Sequence, residues 1–153
     1  MRSLQVALLD TVYWPIVQLS VSAVFVHIPM GRFSSDNWIT EVRSWERSLV
    51  VYRLFGVARW KKRLPDAAFL VGGPRKRVAP HHRSDVLRFV SELRRAEIAH
   101  WVQLGLAVPC WLWNPMWAAV LMTLYAVSTN IPCIVAQRYN RILLQARSTR
   151  HGS

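Results

Sequence analysis

The sequence predicts an all-α integral membrane protein with three transmembrane helices, from its composition and from where its charges fall. Hydrophobic residues make up 52% of the 153-residue chain, yet the formal net charge is +12. The charges are segregated. Between Arg2 and Arg32 the only acidic or basic side chains are Asp10 and His27, and from Ile98 to Gln137 the only group that titrates near neutral pH is His100. Fifteen of the twenty Lys and Arg lie within residues 29–97. A spanning helix needs roughly twenty apolar residues, so the first run can cross once and the second twice.

The first span is expected over residues 4–26. A cleaved signal peptide is the competing reading, with "SVSAV" as a loose cleavage site. Against it, the leading region carries only Arg2, Asp10 interrupts the core, and cleavage would strand the basic block outside. Two further spans, 98–113 and 116–136, flank "WNPMW" (Trp113 to Trp117). Asn-Pro favours a turn there, and tryptophan rings suit the headgroup level. The second span is short, and continues a helix begun in the basic block. The excess of Lys and Arg puts that insert (about 29–97) and the tail (138–153) in the cytoplasm, with the N-terminus outside. Residues 1–153 then form a single membrane domain. Cys110 and Cys133 read as small apolar fillers.

Within the insert, a helix is expected to start at Ser35 or Asp36, weaken at Gly56 and stop at Leu64-Pro65. Trp38, Trp45, Tyr52, Phe55 and Trp60 alternate with Arg43, Arg47, Arg53, Arg59, Lys61, Lys62 and Arg63. That composition suits a helix lying on a bilayer with anionic headgroups, each basic residue contributing about 1 kcal/mol. Nucleic acid is not an expected partner, since no nucleic-acid motif is present and the block is pinned between spans. His81 and His82 lack metal-site spacing, so no metal is expected. His81 to Asp85 is also one residue too short for the H-x4-D pair of glycerolipid acyltransferases. From Asp85 the apolar positions Val86, Val90 and Leu93 mark a helix running into the second span, with Ser84 as N-cap.

Chemistry gathers at the edge of that span. Glu97 and His100 are three residues apart, hence neighbours on a helix. The carboxylate could orient the imidazole as a general base toward a hydroxyl. Arg94 could pair with Glu97 or with an anionic ligand. If the hairpin turns near Asn114, the returning helix brings Asn130 to the depth of His100 and Arg138 to that of residues 91–95. Thr129 and Asn130 precede an expected break at Pro132, then come Gln137, Arg138, Tyr139, Asn140 and Arg141. Ionisable groups at membrane depth are costly and suggest function. The plainer alternative is that Arg94, Arg95, Arg138 and Arg141 merely snorkel at helix ends with Glu97 as partner. Asp10 is protonated, hydrogen-bonded to another helix, or part of the site; Tyr13, Trp14 and Gln18 follow it.

Four stretches carry a resemblance: "VYWPIVQLSV" (from Val12), "FGVARWKKRLPD" (from Phe55), "RRAEIAHW" (from Arg94) and "NIPCIVAQRYNR" (from Asn130). In that order the chain resembles the glycosyl-4,4'-diaponeurosporenoate acyltransferase family, the membrane acyltransferases of staphyloxanthin biosynthesis. The resemblance implies transfer of a fatty acyl group to a sugar hydroxyl of a glycosylated carotenoid acid at the inner face of a bacterial cell membrane. It implies an acyl donor as co-substrate, acyl-CoA or acyl carrier protein, and no bound cofactor. His100 is then the expected base, with Glu97 beside it. Asn130, Gln137 or Asn140 could stabilise the oxyanion. Arg138 and Arg141, with Arg94 or Arg95, could hold carrier phosphates. The matched Trp14, Gln18 and Tyr139 complete the expected substrate-binding set. A non-enzymatic lipid-binding subunit or scaffold, with the polar cluster as structural glue, is the alternative.

Overall fold

The computed structural model describes residues 2–64 and 83–150, and these contain helices, turns and no strand. The helices are α1 (Arg2–His27), α2 (Val50–Leu54), α3 (Val57–Trp60), α4 (Arg83–Gly105) and α5 (Met116–Arg150). Short 3-10 turns occupy Met30–Phe33, Lys61–Arg63 and Val108–Leu112.

Among the described residues, two helices are long and apolar enough to cross a membrane, over Leu4–His27 and Met116–Ala146. Only 22% and 28% of their most apolar windows is buried within the protein. Leu4, Leu8, Val12, Ile16 and Leu19 on α1, and Leu121 and Leu124 on α5, stand exposed. A soluble core helix would bury such faces, whereas lipid accepts them, since a helix makes nearly all of its backbone bonds internally. These apolar faces are those of a membrane protein.

α4 packs against both long helices. Tyr13 donates to the Leu106 carbonyl at 2.7 Å, Gln103 to the Gln18 carbonyl at 3.3 Å, and Arg95 to the Val26 carbonyl at 3.2 Å. As numbers on α1 rise, those on its partner fall, so α1 runs antiparallel to α4. α5 runs antiparallel to α4 as well, pairing Asn130 with His100 and Arg138 with Glu97. A small apolar core of Trp14, Val17, Ala107, Cys110 and Ala126 joins α1, α5 and the segment after α4, with Leu104 of α4 packed against it. Ala126 has no exposed surface, and such small residues let helices approach closely.

The loop between α4 and α5 is where the sequence placed it, around Asn114 and Pro115. Asp10, buried on α1, closes it by accepting from Trp113 Nε1 at 3.1 Å and Asn114 Nδ2 at 2.9 Å. Three expectations need correction. α4 ends at Gly105, and Val108–Leu112 is a 3-10 turn containing Pro109, which has no N–H to continue an α-helix. Residues 98–113 are therefore not one continuous α-helix. Pro132 does not break α5, which runs through it to Arg150; packing against α4 outweighs the one backbone bond proline removes.

The third correction concerns the interfacial helix expected from Ser35 or Asp36. The chain forms turns until Val50, where α2 begins. Asn37 Oδ1 accepts from the N–H groups of Ile39 and Thr40 at 3.0 and 2.9 Å, a side-chain turn that competes with helix. Leu49 precedes α2 and Gly56 separates α2 from α3, both left-handed, with φ of 58° and 61°. The weakness expected at Gly56 is thus a full break. The expectations for His81, His82 and Pro65 fall outside the described residues.

Candidate functional site

Polar side chains meet at two levels between α4 and α5. The spacing of Asn130, Ile134, Gln137 and Arg141 sets them on one helical stripe, and all four are buried. The lower level is ionic. Glu97, with no exposed surface, accepts from Arg138 Nε at 2.6 Å, and its other oxygen lies 3.2 Å from Arg141 Nη2. Arg138 continues to Glu46, at 2.8 and 3.1 Å, and to the Ile39 carbonyl. Arg141 lies 3.2 Å from Asp36 and donates to the Thr40 carbonyl. Arg94 holds Asp36 through two bonds of 2.7 and 3.2 Å and reaches the Phe33 and Ser34 carbonyls. Arg95 pairs with Glu92.

Arg94, Arg138 and Arg141 are thus balanced by Asp36, Glu46 and Glu97. Buried charge tolerates little else, because an unpaired ion in such surroundings costs several kcal/mol. Burial pushes the Glu97 carboxyl above its ordinary value, and Arg141 and Arg138 pull it back only in part. Burial also works to raise Asp36, but the hydrogen bond from Arg94 and the charges of Arg141 and Arg94 together leave it lowered. Burial and the Glu46 charge raise Tyr52, whose hydroxyl donates to Glu46 at 3.3 Å. Beside it, Tyr139 faces the Tyr52 ring at 5.7 Å between centroids and lies under Lys61 Nζ at 4.4 Å. Lys61 also donates to Asn140 Oδ1.

The deeper level is the pair of His100 and Asn130. Eight residues separate Asn130 from Arg138, about 12 Å along the helix. His100 Nδ1 lies 3.0 Å from Asn130 Oδ1, and Asn130 Nδ2 donates to the Ala126 carbonyl at 2.9 Å. The partner given to Nδ1 is therefore the amide of α5 rather than the carboxylate suggested by the spacing within α4. Of the other expected site residues, Gln137 is buried on the same stripe, while Trp14 packs in the core with its indole N–H on Met122 sulfur at 3.3 Å. Gln18 meets Gln103 through its backbone carbonyl.

Sequence reading missed the partners Asp36, Thr40, Glu46 and Gln103 as site-forming residues, all but Asp36 deeply buried. Acidic residues inside an otherwise basic block were the available signal for Asp36 and Glu46. An open groove of about 830 Å³ lies beside this network, with Trp38, Arg47 and Ile142 among its walls.

The fold and site define a helical membrane protein whose buried polar side chains are gathered between two helices, one of them membrane-spanning in length. Residues 35–150 match the family model described as glycosyl-4,4'-diaponeurosporenoate acyltransferase, and the chain belongs to that family of acyltransferases. Relatives bearing the same name include one from Staphylococcus haemolyticus (strain JCSC1435), 28% identical over 94% of this chain and 85% of the relative. Those from Staphylococcus aureus strains bovine RF122 / ET3-1 and USA300 are each 26% identical over 98% of this chain and 96% of their own length. No solved structure matches the chain.

Proposed function

We propose that this chain esterifies a sugar hydroxyl of a glycosylated carotenoid acid with a fatty acyl group, His100 acting as general base. The observation that carries this reading is the His100–Asn130 pair, an imidazole hydrogen-bonded between α4 and the apolar α5 in a chain of this acyltransferase family. The names of the relatives supply the acceptor class. His100 takes the hydroxyl proton as the sugar oxygen attacks the thioester carbonyl of acyl-CoA or acyl carrier protein. The C–O bond forms, the C–S bond breaks, and the proton passes to the departing thiolate. Asn130 shares the level of the base, whereas Gln137 and Asn140 lie about 10 and 15 Å further along α5, too far to reach the same carbonyl.

The buried arginines are committed to carboxylates and carbonyls, so in this reading carrier phosphates meet the exposed Arg47, Arg53, Arg59 and Lys62 instead. Those residues, with exposed Trp38, Trp45, Leu54 and Phe55, also suit an anionic membrane surface. The chain crosses three times in a bacterial cell membrane, N-terminus outside, insert and tail in the cytoplasm. The tip latch of Asp10 supports this by putting the start of α1 and the loop after α4 at one end. From Met116 to Arg138 α5 rises about 33 Å, close to the ~30 Å of a hydrocarbon core.

The test is expression in a bacterial host that accumulates glycosylated carotenoid acid, followed by mass spectrometry of its pigments. A new species heavier by a fatty acyl residue, lost in His100→Ala at equal protein level, is the expected result. Unchanged pigment from well-inserted protein with donors present would reject this acceptor. The scaffold reading draws on the closed ion-pair network, and predicts that His100→Ala either has no consequence or prevents folding.

A further inference from the structure

We infer that Asn130 is the positioning residue of the site: it fixes the hydrogen of His100 on Nδ1 and thereby makes Nε2 the basic nitrogen. This deepens the acyl-transfer reading and rests on it for the role of the base, though not for the tautomer itself. The deduction starts from the amide. Only an NH2 group can donate to a carbonyl, so the 2.9 Å contact between Asn130 Nδ2 and the Ala126 oxygen fixes which way the side chain faces. Oδ1 must then be the atom 3.0 Å from the imidazole, and an amide oxygen only accepts. Nδ1 therefore carries the hydrogen, and in the neutral ring the lone pair lies on Nε2.

The anchor makes this assignment firm. Ala126 and Asn130 are a turn apart on α5, and both are buried with 0% and 1% exposure. Flipping the amide would set its NH2 against the imidazole and its oxygen against the Ala126 oxygen, leaving a buried acceptor unsatisfied at a cost of about 1–3 kcal/mol. An amide also does what a carboxylate would not. It fixes the tautomer without adding a negative charge that would hold the ring protonated. Glu97 lies a turn earlier on α4, but Arg138 and Arg141 of α5 are bound to it. α1 presents no charged side chain between Asp10 and His27.

The experiment uses the full chain in lipid nanodiscs with nitrogen-15 histidine, the His100 signals assigned by their loss in His100→Gln. At a pH where the ring is neutral, the wild type should show hydrogen on Nδ1, and Asn130→Ala should move it toward Nε2. Acyl transfer in Asn130→Ala should fall on the order of 100-fold in kcat with KM little changed. Asn130→Asp should keep hydrogen on Nδ1 and retain most activity, with the acidic limb of its kcat profile displaced upward by about one unit. Hydrogen on Nε2 in the wild type, or no tautomer change and undiminished turnover in Asn130→Ala, would overturn the inference. Should Asn130→Ala fail to fold, Asn130→Asp decides, since an unmoved pH profile would count against it. A tautomer change in a chain that acylates no pigment would support the positioning and overturn the acceptor reading alone.

Discussion

Two polar sites share the interface of α4 and α5, about 12 Å apart, and they are built on opposite principles. At the ionic site every guanidinium meets carboxylate, and the whole ties residues 33–46 to the two helices. At the deeper site a neutral amide meets an imidazole, and the bond restricts the ring without neutralising it. The difference teaches where chemistry can reside. Charges packed in low dielectric must cancel one another, which makes them structural. In the proposed reading the imidazole, bonded at Nδ1 by a neutral amide, is the group that exchanges a proton.

The most forceful way to break this comparison is to remove the centre of the ionic site. Glu97→Ala removes both acceptor oxygens from Arg138 and Arg141 and leaves a void between the helices, and loss of one member of such a buried pair costs about 3–5 kcal/mol. Protein level and thermal unfolding in detergent should both drop sharply. His100→Ala should act more on turnover than on folding. Turnover should fall 100-fold or more, while the unfolding temperature drops less than in the Glu97 variant, since only Asn130 Oδ1 loses a partner, at about 1–3 kcal/mol. Equal thermal losses in both variants would show that the two sites are one structural unit. A smaller test lies at the far end of the helices. Asp10→Ala removes two hydrogen bonds from the loop, about 1–3 kcal/mol, and should lower the unfolding temperature with less effect on turnover per folded molecule.

Much of this was legible in the chain. The apolar runs marked α1 and α5, Asn114-Pro115 marked the loop, and counting back from it brought Asn130 to His100. The partners of the arginines were less accessible, because Asp36, Thr40 and Glu46 reach α4 and α5 through turns. Side-chain bonding by Asn37 competes there with the helix that local pattern favours. The bond between His100 Nδ1 and Asn130 was hidden from local spacing for a related reason. Spacing within one helix shows which residues are neighbours, but Glu97 is engaged by two arginines arriving from another helix. Periodicity reports faces; it does not report competition between faces.

The smallest expected effect is a pH dependence, and its sign separates two carboxylates of the ionic site. Asp36 is lowered from an ordinary value of 3.8, so its contribution to stability is fully present above that value and is lost as pH falls through the lowered one. Glu97 is raised above 4.5, so its contribution runs the other way: it is present below the ordinary value and lost as pH rises through the raised one. Asp36 is a third exposed, so solvent screens its share and the change will be modest. Thermal unfolding in detergent should therefore weaken as acid is added below about pH 4, and Asp36→Asn should flatten that limb relative to wild type. A limb equally steep in Asp36→Asn would place the acid sensitivity elsewhere and remove Asp36 from the groups whose ionisation holds the insert against α4 and α5.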